Sequence, residues 1–542
     1  MRLAIILSFC LALATVALSQ QDEERTREFS QKPAVLARYG DVPIKLDVPG
    51  LAPGRDTYTS QDEMISFLRR IKERAPNVHL GSLGTSQQGR DIPFLLITAE
   101  GVSEPQTVKA LDRPIVWLIG LQHGNEPAGG EAMLALSSAL ADGELKPLLD
   151  RVTVVIVPRA NPDGAAAFLR GAANGFDLNR DHLLLTLSET RGLHAKMAEL
   201  TPDVVVDAHE FSVANRWIEK FGALQGMDAM LLHATHPAVP KETNALTETL
   251  FRPAMEAEMA RYGLRPFWYY TTSFRPEDKI VSMGGNAPGI SRNHFGLSGA
   301  VSFLIETRGV GVRMEAFQRR VATHYIAAKG ALEAAAAEAT RVRATVAQAK
   351  EAIAASRDEL IVGHRIATVK MVLPMIDPES GADKPIEVDF RDSRKVTVTA
   401  TRPRPGGYLV LPEAAAAIEA LKTKGVVVCQ VGAADPIDVE AFRVEAPKQA
   451  LTQAERENIN PEQSVKVSLE ARKVAPPAGS AFVPMAQPAA AIVAATLEPD
   501  SPGSHVGTGM TGLLPSGDAP IYRVPLGTRV AMAGGDALGC GS

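Results

Sequence analysis

His123 and Glu126 stand three residues apart where an apolar stretch gives way to a helix-forming one. Residues 115–121 form the apolar stretch, and an alanine- and leucine-rich segment begins at Pro127. This order predicts a strand, a tight Gly-Asn turn and a helix with proline at its first position, where the missing N–H is no loss. Such a strand end is the edge of an open α/β sheet where ligands bind, and an imidazole and a carboxylate placed there can converge on one zinc ion.

The pair is weak evidence when taken alone. With 11 His and 62 Asp and Glu among 542 residues, chance produces about one His-x-x-acid, so a match of this length has a high false-positive risk. A surface turn with two polar side chains would have the same sequence. The interpretation therefore depends on the polar residues downstream.

Four further groups of polar residues follow in order. An Asn-Pro-Asp-Gly turn comes directly after one apolar run, and Asp-Ala-His and Glu-Thr-Arg end two later ones. Between them, an arginine precedes a Gly-Phe-Asp-Leu-Asn-Arg segment. The groups occupy positions 161–164, Arg170 with 175–180, 207–209 and 306–308. Several strands are thus predicted to end in residues that can bind metal, move protons or bind anions.

This order of groups resembles the zinc carboxypeptidase family, the carboxypeptidase A-like metallopeptidases. The resemblance runs from about Thr57 to Arg308 or a little beyond, and it points to a bacterial, exported member. It implies one Zn²⁺ per chain bound by His123, Glu126 and His209, a two-His, one-Glu set that leaves the fourth position for water.

The same resemblance implies roles for five other residues. Asp177 would hold the second imidazole nitrogen of the first histidine ligand. Asn179 and Arg180 would grip the C-terminal carboxylate of the substrate, for which a planar guanidinium has the right shape. Arg170 would stabilise the oxyanion formed as the scissile carbonyl becomes tetrahedral. Glu306 would be the general base towards a zinc-activated water, with the next arginine on its strand beside it, and then the general acid towards the leaving amine.

Two positions depart from the pattern of the family. Asn125 stands where many members have an arginine between the two ligands. The tyrosine expected upstream of the catalytic glutamate is missing, since residues 282–295 contain none. The candidates to take its place are Arg292, Asn293, His294, Tyr269 and Tyr270. Substrate preference and closure of the site therefore stay open at this point.

The elements that must position these residues alternate between strands and helices. Strands are predicted at 78–83, 92–98, 115–121, 152–157, 204–208 and 300–305, and the alanine-rich segment 314–360 is predicted to form one or two long helices. Apolar strands alternating with helices indicate an α/β fold with a mixed, mostly parallel sheet flanked by helices, plus a smaller C-terminal α+β region.

Two local patterns carry separate predictions. Ser60 and Glu63 have the spacing of a capping box, which predicts a helix start at that point. Residues 212–298 are predicted to be long loops around a cleft. Within them His233 and His236 could be read as a second metal pair, but no third ligand accompanies them, so exposed loop histidines are expected.

The two ends of the chain differ in character from its middle. Residues 1–19 are predicted to be a signal peptide, because Arg2 precedes an apolar run that is too short to span a bilayer and small residues stand before the cut. The predicted division is a 1–19 signal peptide, a 20–55 extended lead-in, a 56–360 catalytic domain and a 361–542 accessory α+β region. Cleavage would leave Cys429 and Cys540, which can pair or stay free.

The sequence as a whole predicts an exported, periplasmic or extracellular zinc metallocarboxypeptidase that hydrolyses C-terminal residues of peptides. A net charge of −5 without a basic patch argues against a nucleic-acid partner. The alternatives are a peptidoglycan stem-peptide peptidase of the same chemistry, a relative that removes an acyl group from an amino acid, and a non-catalytic peptide-binding protein of the same fold. Complete retention of the ligands and of Glu306 argues against the last.

Overall fold

The computed structural model describes residues 27–432, 435–444, 465–508 and 517–533. The signal peptide predicted at 1–19 lies outside the described residues. Cys429 is disulfide-bonded, and its predicted partner, Cys540, also lies outside them. Within the described ranges, no helix combines the length and the apolar character needed to cross a bilayer.

A mixed eight-stranded sheet organises the first two thirds of the chain. Its strands are β1 (Val78–Thr85), β2 (Asp91–Ile97), β3 (Ile115–Ile119), β4 (Thr153–Val157), β5 (Val204–Ser212), β6 (Ala229–His233), β7 (Pro266–Trp268) and β8 (Val301–Val310). Their order across the sheet is β1-β2-β4-β3-β5-β8-β6-β7. The pairs β4/β3, β3/β5, β5/β8 and β6/β7 are parallel, whereas β1/β2, β2/β4 and β8/β6 are antiparallel. The predicted mixed, mostly parallel sheet is confirmed.

Helices cover both faces of this sheet. They are α1 (Pro33–Leu36), α2 (Gln61–Arg74), α3 (Pro105–Ala110), α4 (Pro127–Ala141), α5 (Pro162–Ala167), α6 (Ser188–Glu199), α7 (Arg216–Phe221), α8 (Lys241–Leu246), α9 (Arg252–Ala260), α10 (Ser291–Leu297), α11 (Phe317–Ala337) and α12 (Ala339–Ala355). Helices α2, α4, α9 and α11 share one apolar core with the sheet, and α6 and α10 share another. Every residue of β3 and β4 is buried, which explains why their sequences are continuously apolar rather than alternating.

The local predictions have mixed outcomes. The capping box starts α2, with Ser60 Oγ accepting from the Glu63 amide and Glu63 accepting from the Ser60 amide. The segment 212–298 is not only loops, since it also contributes β6 and β7 to the sheet and helices α7 to α10. His233 is likewise not an exposed loop residue. It ends β6, is buried, and lies 2.9 Å from Glu248, because the strand carries its side chain into the protein.

The C-terminal region contributes to three further sheets, the smallest of which pairs Met375–Ile376 with Leu224–Gln225. Strands β9 (Leu360–Leu373) and β10 (Ile386–Arg402) form a long hairpin. Strand β10 also pairs in parallel with Val281–Ser282, which pairs with Thr271–Thr272. The C-terminal hairpin therefore extends a small sheet made by the loops of the first part of the chain.

The remaining strands form a six-stranded antiparallel sheet. They are β11 (Gly407–Val410), β12 (Cys429–Gln430), β13 (Ile437–Val444), β14 (Val467–Val474), β15 (Ala481–Pro484) and β16 (Gly517–Val524), in the order β12-β15-β11-β16-β13-β14. Helices α13 (Ala415–Thr423) and α14 (Ala490–Leu497) pack on it. Its core also takes in Leu183, Ala234 and Leu297, so this region packs directly on the first part of the chain. The boundaries predicted at 55/56 and 360/361 stay predictions.

Candidate active site

The three predicted metal ligands come from neighbouring strand ends. His123 and Glu126 lie in the turn between β3 and α4, with Glu126 at the N-cap position of the helix. His209 lies in β5. Strands β3 and β5 are parallel neighbours, with Ile119 paired to Asp207, so their carboxyl ends open at the same edge of the sheet.

The side chains of His123, Glu126 and His209 converge there. Nδ1 of His123 lies 2.9 Å from Oε1 of Glu126, and Nδ1 of His209 lies 3.0 Å from Oε2. The two Nδ1 atoms are 3.0 Å apart. All three side chains are buried, and this is the one group of three or more such ligands among the described residues. Bonds of about 2.0–2.2 Å would let a single zinc ion contact all three.

The second nitrogen of each histidine faces an aspartate. Nε2 of His123 lies 3.0 Å from Asp177, as predicted, and Nε2 of His209 lies 2.8 Å from Asp207. A carboxylate in this place fixes the ring and leaves Nδ1 free to bind a metal. The sequence reasoning assigned no role to Asp207. The signal was available, because residues i and i+2 of a strand share a face.

Burial opposes ionisation of these carboxyl groups, yet their charged forms are favoured. Burial would raise the pKa of Glu126, but the two histidines hold it below its usual value. The same opposition applies to Asp177, whose pKa is lowered chiefly by Arg170, and to Asp207, whose pKa is lowered by His209. Three buried negative charges around two imidazoles form an environment suited to a divalent cation.

Glu306 lies beside the ligand cluster. Strand β8 is parallel to β5, and Glu306 is paired in register with His209. Glu306 is 8% exposed and lines the cleft described below. Burial raises the pKa of Glu306 to about 8, with His209 acting against this and Glu126 adding to it. A carboxyl group with a pKa near neutrality can both accept and return a proton.

Arg308 does not accompany Glu306 as predicted. Its guanidinium lies over the ring of Tyr39, 3.5 Å from the centroid, and donates to the carbonyl of Gln225. Both residues lie near the same end of β8, but the guanidinium of Arg308 contacts the Tyr39 ring and the Gln225 carbonyl instead of the Glu306 carboxylate.

The other predicted site residues surround the cluster. Arg170 donates to Glu126 over 3.2 Å and to Asp177 over 3.0 Å. Asn179 accepts from the Ser291 amide, and its Nδ2 lies 3.0 Å from Nε2 of the second histidine ligand. Arg180 donates to the Asn179 carbonyl. The structure thus brings every predicted site residue to one place, although Asn179 already has partners for both polar atoms.

A cleft of about 350 Å³ opens above the cluster. It lies within the usual range for ligand sites of about 300–1,000 Å³. Its walls come from the strand ends, from the loops around 269–285 and from β10 of the C-terminal hairpin, which contributes Arg391. The accessory region therefore takes part in the site, which the sequence did not predict.

Comparison with known proteins decides the family. Residues 64–308 match the family described as zinc carboxypeptidase. This part of the chain belongs to the zinc carboxypeptidase family. Carboxypeptidase 2 of Trichophyton equinum is 28% identical over 481 residues, covering 88% of each chain. Probable carboxypeptidase 2 of Trichophyton verrucosum is 29% identical over 383 residues, covering 70% of this chain and 73% of that protein.

Among solved structures, a metallo-carboxypeptidase from Burkholderia cenocepacia is similar, with a TM-score of 0.40 and 19% identity, covering 52% of this chain and 70% of that one. The chain carries a metallocarboxypeptidase domain, which is a hydrolase. The cofactor of this family is one zinc ion, and the His-Glu-His cluster offers it a fitting set of donors. The predicted bacterial origin stays a prediction.

Of the five residues that could take the place of the family's tyrosine, Tyr269 and Arg292 remain candidates. Asn293 accepts from the Thr235 amide, and His294 lies in a buried histidine cluster. Tyr270 borders the cleft, but its hydroxyl donates to Met375. Tyr269 and Arg292 line the cleft and lie side by side: a Cβ on Gly284 would be 3.1 Å from the tyrosine ring and 3.2 Å from the guanidinium.

Proposed function

We propose that this metallocarboxypeptidase removes C-terminal residues from peptides, with Glu306 as the general base. The observation that supports it most is the convergence of His123, Glu126 and His209 next to Glu306, which is paired in register with His209. Two of the ligands, His123 and Glu126, line one cleft together with Glu306.

The two Nδ1 atoms and the Glu126 carboxylate would hold the zinc ion. Asp177 and Asp207 orient the imidazoles by accepting from the opposite ring nitrogens. When bound, zinc supplies a Lewis acid that lowers the pKa of water from 15.7 to about 7 and polarises a carbonyl.

Glu306 carries the proton in this mechanism. Its carboxylate accepts a proton from the attacking water as the water oxygen bonds to the scissile carbonyl carbon. Arg170 donates hydrogen bonds to the negative charge that forms on the carbonyl oxygen. Glu306 then returns the proton to the amine nitrogen as the C–N bond breaks, so the base ends the cycle in its starting state.

Arg180 gives the reaction its preference for chain ends. It lines the cleft beside Asn179, and a guanidinium can form two parallel hydrogen bonds with a carboxylate. A peptide with a free C-terminus would be anchored there, whereas an amidated peptide would lack the charge.

Hydrolysis of blocked dipeptides tests this function. The zinc-loaded protein is expected to cleave a blocked dipeptide with a free C-terminus and to spare its amidated form, and a chelator should abolish cleavage until zinc is added back. Metal analysis of His209→Ala should show strong loss of zinc, with Glu248→Gln, on the surface, as the matched control. Unchanged activity in excess chelator, or full zinc content in His209→Ala, would contradict the assignment.

We also infer that the chain is exported, and residues 1–19 support this by their composition. Mass spectrometry of the native protein should find an N-terminus after Ser19. A native protein that starts at Met1 inside the cell would contradict the inference.

A further inference from the structure

Arg292 is a buried cation in the wall of the cleft. It is the second residue of α10 and is 3% exposed, yet it borders the cleft together with Arg180, Tyr269 and Glu306. The charges of Arg180 and Glu306 act on it. Its side chain therefore lies within the site and not in the apolar core behind it.

The guanidinium of Arg292 has few partners. Nη2 donates to the carbonyl of Gly285 over 2.7 Å, while the buried Nε has no hydrogen-bond partner. No carboxylate among the described residues forms an ion pair with Arg292, in contrast to the equally buried Arg320, which pairs with Glu210 at 2.7 Å. A buried charge without an ion pair is unfavourable, so an anion bound in the cleft would stabilise the Arg292 guanidinium.

The other charged residues that line the cleft also favour a negatively charged ligand. Five arginines line it, namely Arg170, Arg180, Arg216, Arg292 and Arg391, against four acidic side chains. Arg170 is already paired with the carboxylates of the metal site. Arg180 and Arg292 repel each other, as the lowering of the Arg292 pKa by Arg180 indicates after the larger effect of burial. A ligand with two negative groups would relieve this repulsion.

We propose that Arg292 binds the side-chain carboxylate of an acidic C-terminal residue, so that the preferred substrates are peptides ending in glutamate or aspartate. The proposal rests on the proposed carboxypeptidase function, in which Arg180 binds the main-chain carboxylate. A C-terminal acidic residue carries both carboxylates on one residue. Tyr269 lines the same side of the cleft, since a Cβ on Gly284 would approach both its ring and the Arg292 tip.

The test compares blocked dipeptides that differ only in the C-terminal residue: Glu, its uncharged isostere Gln, Leu and Lys. For the zinc-loaded wild type, kcat/KM for Glu should exceed that for Gln by about 10- to 100-fold, the range for hydrogen bonds to charged groups. Arg292→Gln should bring the ratio of kcat/KM for Glu to that for Gln close to 1, and it should lower kcat/KM for Glu more than that for Leu. Arg292→Lys keeps the charge without the planar fork and should retain part of the preference.

Arg365→Gln is the matched control, because it removes the same charge from an exposed position on β9 that does not line the cleft. Its ratio of Glu to Gln should stay within about twofold of the wild type, since exposed charges are screened. Zinc content and circular dichroism would establish that each variant is folded.

The outcomes separate this proposal from the one it rests on. Cleavage of the Leu or Lys substrate in preference to Glu by the wild type would overturn the role of Arg292 and leave the carboxypeptidase function intact. An equal loss for all four substrates in Arg292→Gln would assign Arg292 to the main-chain carboxylate, which also overturns it. Failure of the zinc-loaded wild type to cleave any of them would overturn the proposed function itself. If Arg292→Gln does not fold, the wild-type ratio still decides the substrate preference, and Arg292→Lys decides the role of Arg292.

Discussion

At the scale of single residues, the position of Glu306 is its most informative property. The carboxyl group is buried on a strand next to His209, and it accepts no hydrogen bond from any described residue. Carboxylates that serve structure in this protein are paired, as Glu210 is with Arg320. An unpaired buried carboxyl group beside a metal site is the arrangement expected of a group that exchanges protons with substrate and water.

Replacement of Glu306 tests this directly. Glu306→Gln keeps the shape of the side chain but cannot accept a proton, so kcat should fall by about 10²–10⁴-fold with little change in KM. Zinc content should be unchanged, because the glutamate is not a ligand. Asp278→Asn, which alters another carboxylate that lines the cleft and accepts from Ser273, is the control. Wild-type turnover in Glu306→Gln would exclude the role.

At the scale of elements, two turns hold each other at the edge of the sheet. The turn after β3 carries His123 and Glu126, and the turn after β4 ends at Asn161, the N-cap of α5. Asn161 accepts from the Gly164 amide and donates to the carbonyl of Gln122. The two backbones are so close that a Cβ on Gly124 would lie 1.9 Å from the carbonyl carbon of Gly164. The metal site therefore depends on a glycine that is not itself a ligand.

Gly124→Ala should disturb the site without touching its chemistry. The methyl group must displace one of the turns, and overpacking of this kind typically destabilises by about 1–3 kcal/mol. Zinc affinity should fall together with the free energy of unfolding, measured by metal titration and by urea denaturation. Gly40→Ala is the control, since nothing lies within 4 Å of its added Cβ. Unaltered zinc affinity in Gly124→Ala would show that the turns can separate without cost.

At the scale of the whole molecule, a buried network joins the metal site to the C-terminal region. Gln122 donates to Asp207 over 2.7 Å, and its side-chain oxygen Oε1 lies 2.8 Å from Nε2 of His182. His182 in turn contacts His194 over 3.0 Å. These histidines are buried near Lys424, which comes from the accessory region and donates to Leu183. Burial lowers the pKa of His182 to about 4, so the cluster is neutral in the folded protein.

This neutrality predicts a loss of stability in acid. Between pH 6.5 and about 4, the imidazole of His182 is protonated in the unfolded chain but not in the folded one. Because the unfolded state binds more protons, the free energy of unfolding falls as the pH decreases. His182 alone would contribute about 3 kcal/mol across that window, because burial lowers its pKa from 6.5 to about 4. His182→Gln should flatten the pH dependence of the free energy of unfolding more than His79→Gln does, because the imidazole of His79 is exposed and loses less of its hydration on folding. Equal slopes for His182→Gln and the wild type would contradict this.

The ligand set and most of the sheet could be predicted because they depend on local features. His123 and Glu126 share one turn, and His209 and Glu306 each follow an apolar run that becomes a buried strand. Residue type, spacing and hydrophobic period are all present in the sequence. The end of β3 shows the limit of such reasoning: it stops at Ile119, two residues early, because Leu121 adopts a left-handed φ of 54°.

The contents of the cleft were decided only by the tertiary structure. From the sequence, five residues could equally have replaced the missing tyrosine. The path of the chain at 269–293 brings Tyr269 and Arg292 to the cleft, whereas other candidates bind partners elsewhere. Arg391 reaches the same cleft because β10 pairs with Val281–Ser282, more than a hundred positions earlier. Pairings between distant segments leave no periodic signal in either segment. The metal-binding residues could therefore be predicted from the sequence, whereas the residues that select the substrate are brought together only by the fold.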